Sequence, residues 1–132
     1  MPKVFTSKTQ KIGELGEDLA CRFLMKHGFA IVERNYTKKW GEIDIVAKKG
    51  GKTYFVEVKS KVADLVGIKD IEGYRPEENM HPWKLQRLSR VVQTYLSEHE
   101  SIGDWQFDLV VVFIDIATKK ARVRTMENIV LV

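Results

Sequence analysis

The 132-residue chain holds one cysteine, three prolines and three histidines, and each scarcity closes off a class of protein. Cys21 alone can neither form a disulfide within the chain nor supply a zinc site built from several cysteines. His27, His81 and His99 show no spacing to one another that suggests a metal cluster or a proton relay. No stretch approaches the ~18 uninterrupted apolar residues of a membrane-spanning helix, because the greasiest run, Phe107 to Ile116, is cut by Asp108 and Asp115. The opening MPKVFTSKTQK lacks the apolar core of a secretory signal. These absences lead to the expectation of a cytoplasmic protein in a reducing compartment, with no membrane partner.

What is present is ordinary for a folded domain. Hydrophobic residues make up 44% and charged residues 30%, and the length suits one hydrophobic core, so residues 1–132 are read as a single domain. Counting 22 Lys+Arg against 18 Asp+Glu gives a net charge of +4, a mild excess that suits a polyanionic partner without demanding one. Apolar residues recur at helical spacing from Ile12 to His27, with Gly28 as the stop. A short strand, Phe29 to Tyr36, leads into a basic-aromatic loop, Thr37 to Gly41. Two alternating segments, Glu42 to Lys48 and Lys52 to Lys59, joined by Gly50-Gly51, read as an antiparallel hairpin. Ser60 to His81 has no clear period and reads as a long loop, flexible or functional at about 61–81, whose Asp64, Asp70, Glu72, Glu77 and Glu78 oppose the charge of the rest. Pro82 opens a second helix that runs to about His99, and strands follow at Trp105 to Ile116 and Ala121 to about Thr125. The order is α-β-β-β-α-β-β. It predicts an α/β fold with a central mixed sheet flanked by helices.

The hairpin register carries the chemistry. With Gly50 and Gly51 as turn residues, facing pairs have numbers summing to 101, which sets Asp44 opposite Glu57 and Glu42 opposite Lys59. Alternation then puts Glu42, Asp44, Val46, Phe55, Glu57 and Lys59 on one face, and Ile43, Ile45, Ala47, Tyr54, Val56 and Val58 on the other. Facing carboxylates roughly 4–5 Å apart repel by about 1 kcal/mol in water and about 3–4 kcal/mol at an effective dielectric near 20, so a half-buried pair needs a cation. Lys59 is one candidate; Mg²⁺, a hard ion that favours carboxylate and carbonyl oxygens, is another. The plainer reading is a solvated edge hairpin with a Glu42–Lys59 surface ion pair. Phe55 and Val46 on the same face argue that something covers it.

The blocks GELGEDLACRFLMKHGFAIVERNY, GEIDIVAKKGGKTYFVEVKSK, HPWKLQRLSRVVQTYL and FDLVVVFID together resemble the YraN family of bacterial endonuclease-like proteins. That family is related to archaeal Holliday junction resolvases within the PD-(D/E)XK nuclease superfamily. The resemblance implies a restriction-endonuclease-like three-layer fold. It also implies Asp44 and Glu57 as metal-binding acids, the Val58 main-chain carbonyl as a further ligand, Lys59 as the superfamily lysine and Glu17 as the additional acid of the resolvase-like branch. Ile43 stands where the superfamily motif has proline, and the stretch from about Val62 to Met80 is longer and more acidic than the usual family connection.

Outside that pattern, Glu17 lies off its helix's apolar stripe, where spacing alone favours solvation. Lys38, Lys39 and Trp40 suit phosphate contact and base stacking, or equally a basic turn with Trp40 tucked over a strand. Lys84, Arg87 and Arg90 lie away from their helix's apolar stripe, as phosphate contacts or as a solvated face. Trp83 and Trp105 read as core or interface anchors, and Cys21 as a small apolar residue. The resulting expectation is a Mg²⁺- or Mn²⁺-dependent nuclease acting on DNA, with branched or junction substrates and a homodimer suggested by analogy with junction resolvases. The alternatives are a nucleic-acid-binding or adaptor protein without turnover and an interaction module working through the acidic loop.

Overall fold

The computed structural model describes residues 7–63, 73–75 and 80–131. Helix α1 is Lys8–Lys26, followed by strands β1 (Ala30–Lys38), β2 (Gly41–Lys49) and β3 (Lys52–Val62); helix α2 is Pro82–Glu98, followed by β4 (Trp105–Asp115) and β5 (Lys120–Met126). The predicted order holds. Helix α1 starts earlier than its apolar stripe because the Ser7 side chain accepts a hydrogen bond from the Gln10 backbone N–H at 3.1 Å, satisfying one of the free donors of the first turn.

The strands form one mixed sheet in the order β1-β2-β3-β4-β5. Neighbours are antiparallel except β3 and β4, which are parallel, as a strand–helix–strand crossover requires. Gly50 and Gly51 have φ of 58° and 77°, conformations that glycine adopts without penalty. The pairs Lys49↔Lys52, Val46↔Phe55 and Ile45↔Val56 follow the predicted register.

Helices cover both faces. Ala20, Cys21 and Leu24 of α1 pack on Ile45, Ala47, Val56, Val110, Val112 and Ile114. On the opposite face, Leu88, Val91, Val92 and Tyr95 of α2 pack on Tyr36, Ile43, Val46, Phe55 and Phe107. Thus α2 covers Phe55 and Val46. Each such side chain contributes about 1.5–3 kcal/mol by leaving water. Asp108 and Asp115, which interrupt the apolar run of β4, are buried and hydrogen-bonded. Asp108 accepts from Gln106 Nε2 and the Asn128 N–H, and Asp115 from the Ala117 and Thr118 N–H groups.

Three expectations need correction. Ser60 to Val62 is not loop: it continues β3, because β4 offers a parallel ladder as far as Val62↔Ile114. Asp64, Asp70, Glu72, Glu77 and Glu78 lie outside the described residues. Ile43 does not join Ile45 and Ala47; it packs with Tyr36 on the α2 side. The register of β1 slips between Ile31 and Glu33, and Asn35 takes a φ of 54°, so alternation fails along this edge. Of the two readings of Trp83, core or interface anchor, its 57% exposure removes the first.

Candidate active site

The ladder between β2 and β3 stops at Ile45↔Val56. One residue further, Asp44 Oδ2 accepts a hydrogen bond from the Val58 backbone N–H at 2.8 Å. A side chain thereby satisfies a strand donor, and the two strands part around the acids. Asp44 and Glu57, joined by Glu42 and Gly41 from β2 and by Trp83, Lys84, Arg87 and Leu88 from α2, line a cleft of about 290 Å³.

Burial pushes the Asp44 carboxyl up to about 7, and Glu17, Glu57 and Glu42 push the same way through their charge, while the Val58 N–H pulls it down. Burial and then the charge of Glu42 raise Glu17; burial and then Glu57 raise Glu42. Glu57 Oε2 is out of water and accepts no hydrogen bond. The Lys84 ammonium, 3.5 Å from it, is its counter-ion. Four carboxylates act on one another here, and among the described residues the ion pairs they make are Lys84 with Glu57 and the longer Arg34 with Glu17.

Helix α1 supplies Glu17 because it comes unusually close to β3. A Cβ built on Gly16 would lie 1.7 Å from Ser60 Oγ, so only glycine permits this approach. Glu17 then meets Arg34 at 3.9 Å, a weaker contact than the 3.0 Å pair of Arg34 with Asp18. The Asn35 carboxamide lies between two acids: with its nitrogen turned towards them, that atom is 3.0 Å from Glu17 Oε1 and 2.8 Å from Glu42 Oε1.

The structure brings together Asp44, Glu57, Glu17, Lys84 and Arg87 of the residues proposed from sequence. Val58 contributes its N–H to Asp44, and its side chain packs on the α1 side. Lys59 is half-buried and, by alternation, on the side of Glu57; no ion pair joins it to Glu42, and Lys84 takes the role of counter-ion. Lys38 turns elsewhere, to Glu98 at 3.1 Å, roughly 20 Å along α2 from Lys84 at 1.5 Å per residue. Trp40 donates its Nε1–H to Thr94 at 3.2 Å and lies beneath the Arg90 guanidinium, 4.6 Å from the ring centroid. It therefore fastens the β1–β2 turn to α2. Lys39 is exposed beside it. Sequence reasoning missed Asn35, whose signal was its residue type: asparagine is among the few side chains that tolerate positive φ.

The donors present fit a hard divalent cation: carboxylate oxygens, one of them buried without a hydrogen bond, in a pocket where burial and neighbouring acids raise Asp44 and Glu42. Among the described residues no group of three or more His, Cys, Asp or Glu stands close enough to hold a metal, but Mg²⁺ uses only one or two carboxylates and completes its shell with water. No described helix is long and apolar enough to cross a membrane.

The sequence profile described as "Uncharacterised protein family UPF0102" matches residues 16–112. A UPF0102 protein of Campylobacter jejuni is 38% identical over 104 residues, covering 79% of this chain and 85% of that protein. One from Helicobacter pylori is 33% identical over 127 residues, covering 96% of this chain and 97% of that protein. Among solved structures, Pyrococcus furiosus SfsA in complex with Ca²⁺ aligns over 96% of this chain and 74% of that chain at 14% identity, with a TM-score of 0.38, a likeness too distant to bear on fold or function.

Proposed function

Since this chain belongs to the UPF0102 family, we propose that its carboxylate cleft is the active site of a Mg²⁺- or Mn²⁺-dependent nuclease of the PD-(D/E)XK type, hydrolysing DNA phosphodiesters. The observation that carries the reading is the Asp44–Glu57 pair. One acid is buried and raised to about 7, the other carries a buried oxygen without a hydrogen bond, and both line an open cleft with cationic side chains on its wall. In a purely structural pair the buried oxygens would be hydrogen-bonded, whereas Glu57 Oε2 has only the Lys84 ammonium at 3.5 Å.

Asp44 and Glu57, with the Val58 carbonyl, would hold the ion. When bound, a divalent cation lowers the pKa of water and stabilises charge on the phosphorane-like transition state. The remaining work falls to the chain. The Val58 N–H fixes one oxygen of Asp44 and leaves the other for the ion. Lys84 and Arg87, on the cleft wall, receive non-bridging phosphate oxygens and so set the scissile phosphorus against the acids. Lys59 orients the attacking water and offers its ammonium to the charge that develops on phosphorus. Water adds to phosphorus, the ester P–O bond breaks, and the products are a phosphomonoester and a free sugar hydroxyl.

The test is an assay with branched, flap and single-stranded DNA in Mg²⁺ or Mn²⁺. Cleavage is expected from the wild type and lost in Asp44→Ala and Glu57→Ala. Cleavage that persists unchanged in both variants would show that the site lies elsewhere. DNA binding without turnover, and without Mn²⁺ uptake by calorimetry, would favour a binding protein on a nuclease-like scaffold. An interaction role for the acidic stretch lies mostly outside the described residues.

A further inference from the structure

Trp83, directly after Pro82 in the first turn of α2, stays 57% exposed although an apolar sheet face lies beneath the same helix. Its ring is a wall shared by two adjoining hollows. One is the carboxylate cleft; the other, about 540 Å³, is lined by Lys39, Trp40, Gln86, Arg87 and Arg90 with Trp83 itself. Arg87 spans both, its guanidinium 5.8 Å from the Trp83 ring centroid. No acidic side chain lines the second hollow. A tryptophan left in water forgoes the burial that rewards it elsewhere, and it is the side chain most enriched where proteins grip partners.

We propose that Trp83 is a stacking platform for an unpaired nucleobase. Lys84 and Arg87 take the phosphates that flank it, so the substrate class is nucleic acid that is single-stranded at or next to the cleft. This rests on reading the cleft as a phosphodiester site and adds which substrate shape it selects. An aromatic ring among cations matches how single strands are gripped, because every base has a flat face to stack while the cations follow the backbone. In an intact duplex those faces are covered by neighbouring base pairs, and an exposed ring finds no partner except at an end or a junction. Trp40 cannot serve: it is half-buried, with Arg90 close over its ring at 4.6 Å and Thr94 holding its N–H, whereas Arg87 stands off the exposed Trp83 ring at 5.8 Å.

Tryptophan fluorescence tests this in chelator, where cleavage is stopped. Trp40 and Trp105 are partly buried, so quenching by stacked bases reports chiefly on Trp83. The probes are oligo-dT, oligo-rU, a splayed fork and a fully paired hairpin whose loop and open end are both closed by non-nucleotide linkers. Quenching is expected with the first three and not with the hairpin. By fluorescence anisotropy of dye-labelled probes, Trp83→Ala should bind the unpaired probes about ten-fold more weakly with its hairpin affinity unchanged, and Trp83→Phe should recover most of that loss. Both variants are expected to melt like the wild type, since the side chain is exposed. Equal quenching by deoxy and ribo strands supports base stacking without a sugar preference, and a bias to either names the natural strand. Equal loss on paired and unpaired probes, or quenching that survives in Trp83→Phe, overturns the platform. Cleavage without any role for Trp83 sinks this inference alone, whereas stacking without cleavage sinks only the nuclease reading.

Discussion

The Val58 backbone N–H donates to Asp44 Oδ2 at 2.8 Å, just past the last paired residues of β2 and β3. A carboxylate thus stands in for a strand carbonyl. The bond locks the Asp44 rotamer, holds open the fork between the strands and places a charge where water is scarce, since burial is the largest influence on that acid.

Stability of the metal-free protein should fall with rising pH. The Asp44 carboxyl titrates at about 7 in the fold against an ordinary 3.8, so between those values the folded chain holds a proton that the unfolded chain has lost. Stability is therefore fullest below about pH 4 as far as this group is concerned and is lost as pH rises towards 7. Glu17 and Glu42 are raised too and act in the same direction. Three pKa units amount to about 4 kcal/mol, and relaxation around the charge reduces this to on the order of 2–4 kcal/mol. Denaturant melts in chelator at about pH 5.5 and about pH 8 should show roughly half of that, because the unfolded carboxyl is already ionised at the lower value, and Mg²⁺ should narrow the difference by binding the ionised pair. Equal stability at both values would mean that Asp44 ionises at no cost.

Asp44→Asn should stabilise the protein while disabling it. Asparagine keeps the shape and an oxygen acceptor for the Val58 N–H but removes the poorly solvated charge. At about pH 8 in chelator the variant is expected to melt higher than the wild type, with its pH dependence largely gone. Calorimetric Mn²⁺ uptake and cleavage should both be lost. A variant less stable than the wild type at pH 8 would show that the charge contributes favourably to the fold.

How far the site could be read in advance follows from which contacts are local. The Gly50-Gly51 turn sets the hairpin register within a few residues, so the neighbourhood of Asp44 and Glu57 followed from counting. Placing Ile43 failed because alternation does not hold past Ile45↔Val56, where the β2–β3 ladder ends, and the end of a ladder leaves no periodic trace. Lys84 as the partner of Glu57, and Trp83 standing free, depend on how α2 sits across the sheet. Helical spacing shows which residues share a face but not what lies opposite. Glu17 needed the family pattern, because a half-buried glutamate on a helix has the same spacing as a solvated one.

Gly16→Ala should loosen α1 from the sheet. The new Cβ would fall 1.7 Å from Ser60 Oγ and 2.8 Å from Ser60 Cβ, so the helix must shift, at a cost of about 1–3 kcal/mol. Adding Ser60→Gly removes both clashing atoms and should recover part of that loss, offset by the weaker strand that glycine makes. Paired denaturation curves measure this coupling. No recovery in the double variant would mean that the clash is not what destabilises. Because Glu17 moves with Gly16, the single variant should also lower the pH dependence contributed by Asp44.

Lys84→Met tests whether a lysine and a divalent cation share Glu57. The glutamate side chain is only 17% exposed, and its Oε2 has the ammonium at 3.5 Å and no hydrogen bond. Methionine keeps the length of the stem, so the change is chiefly one of charge. In chelator the variant should lose about 1 kcal/mol, modest because the lysine itself reaches solvent. Mn²⁺ should then restore stability, and its affinity should rise several-fold because the neighbouring positive charge is gone. DNA affinity should fall, with the salt dependence of binding shallower by about one counterion. Tighter metal with weaker DNA is the pattern of a side chain that yields Glu57 to the ion and turns to phosphate. Unchanged Mn²⁺ affinity would instead leave Lys84 as a structural counter-ion, remote from the place where the cation sits.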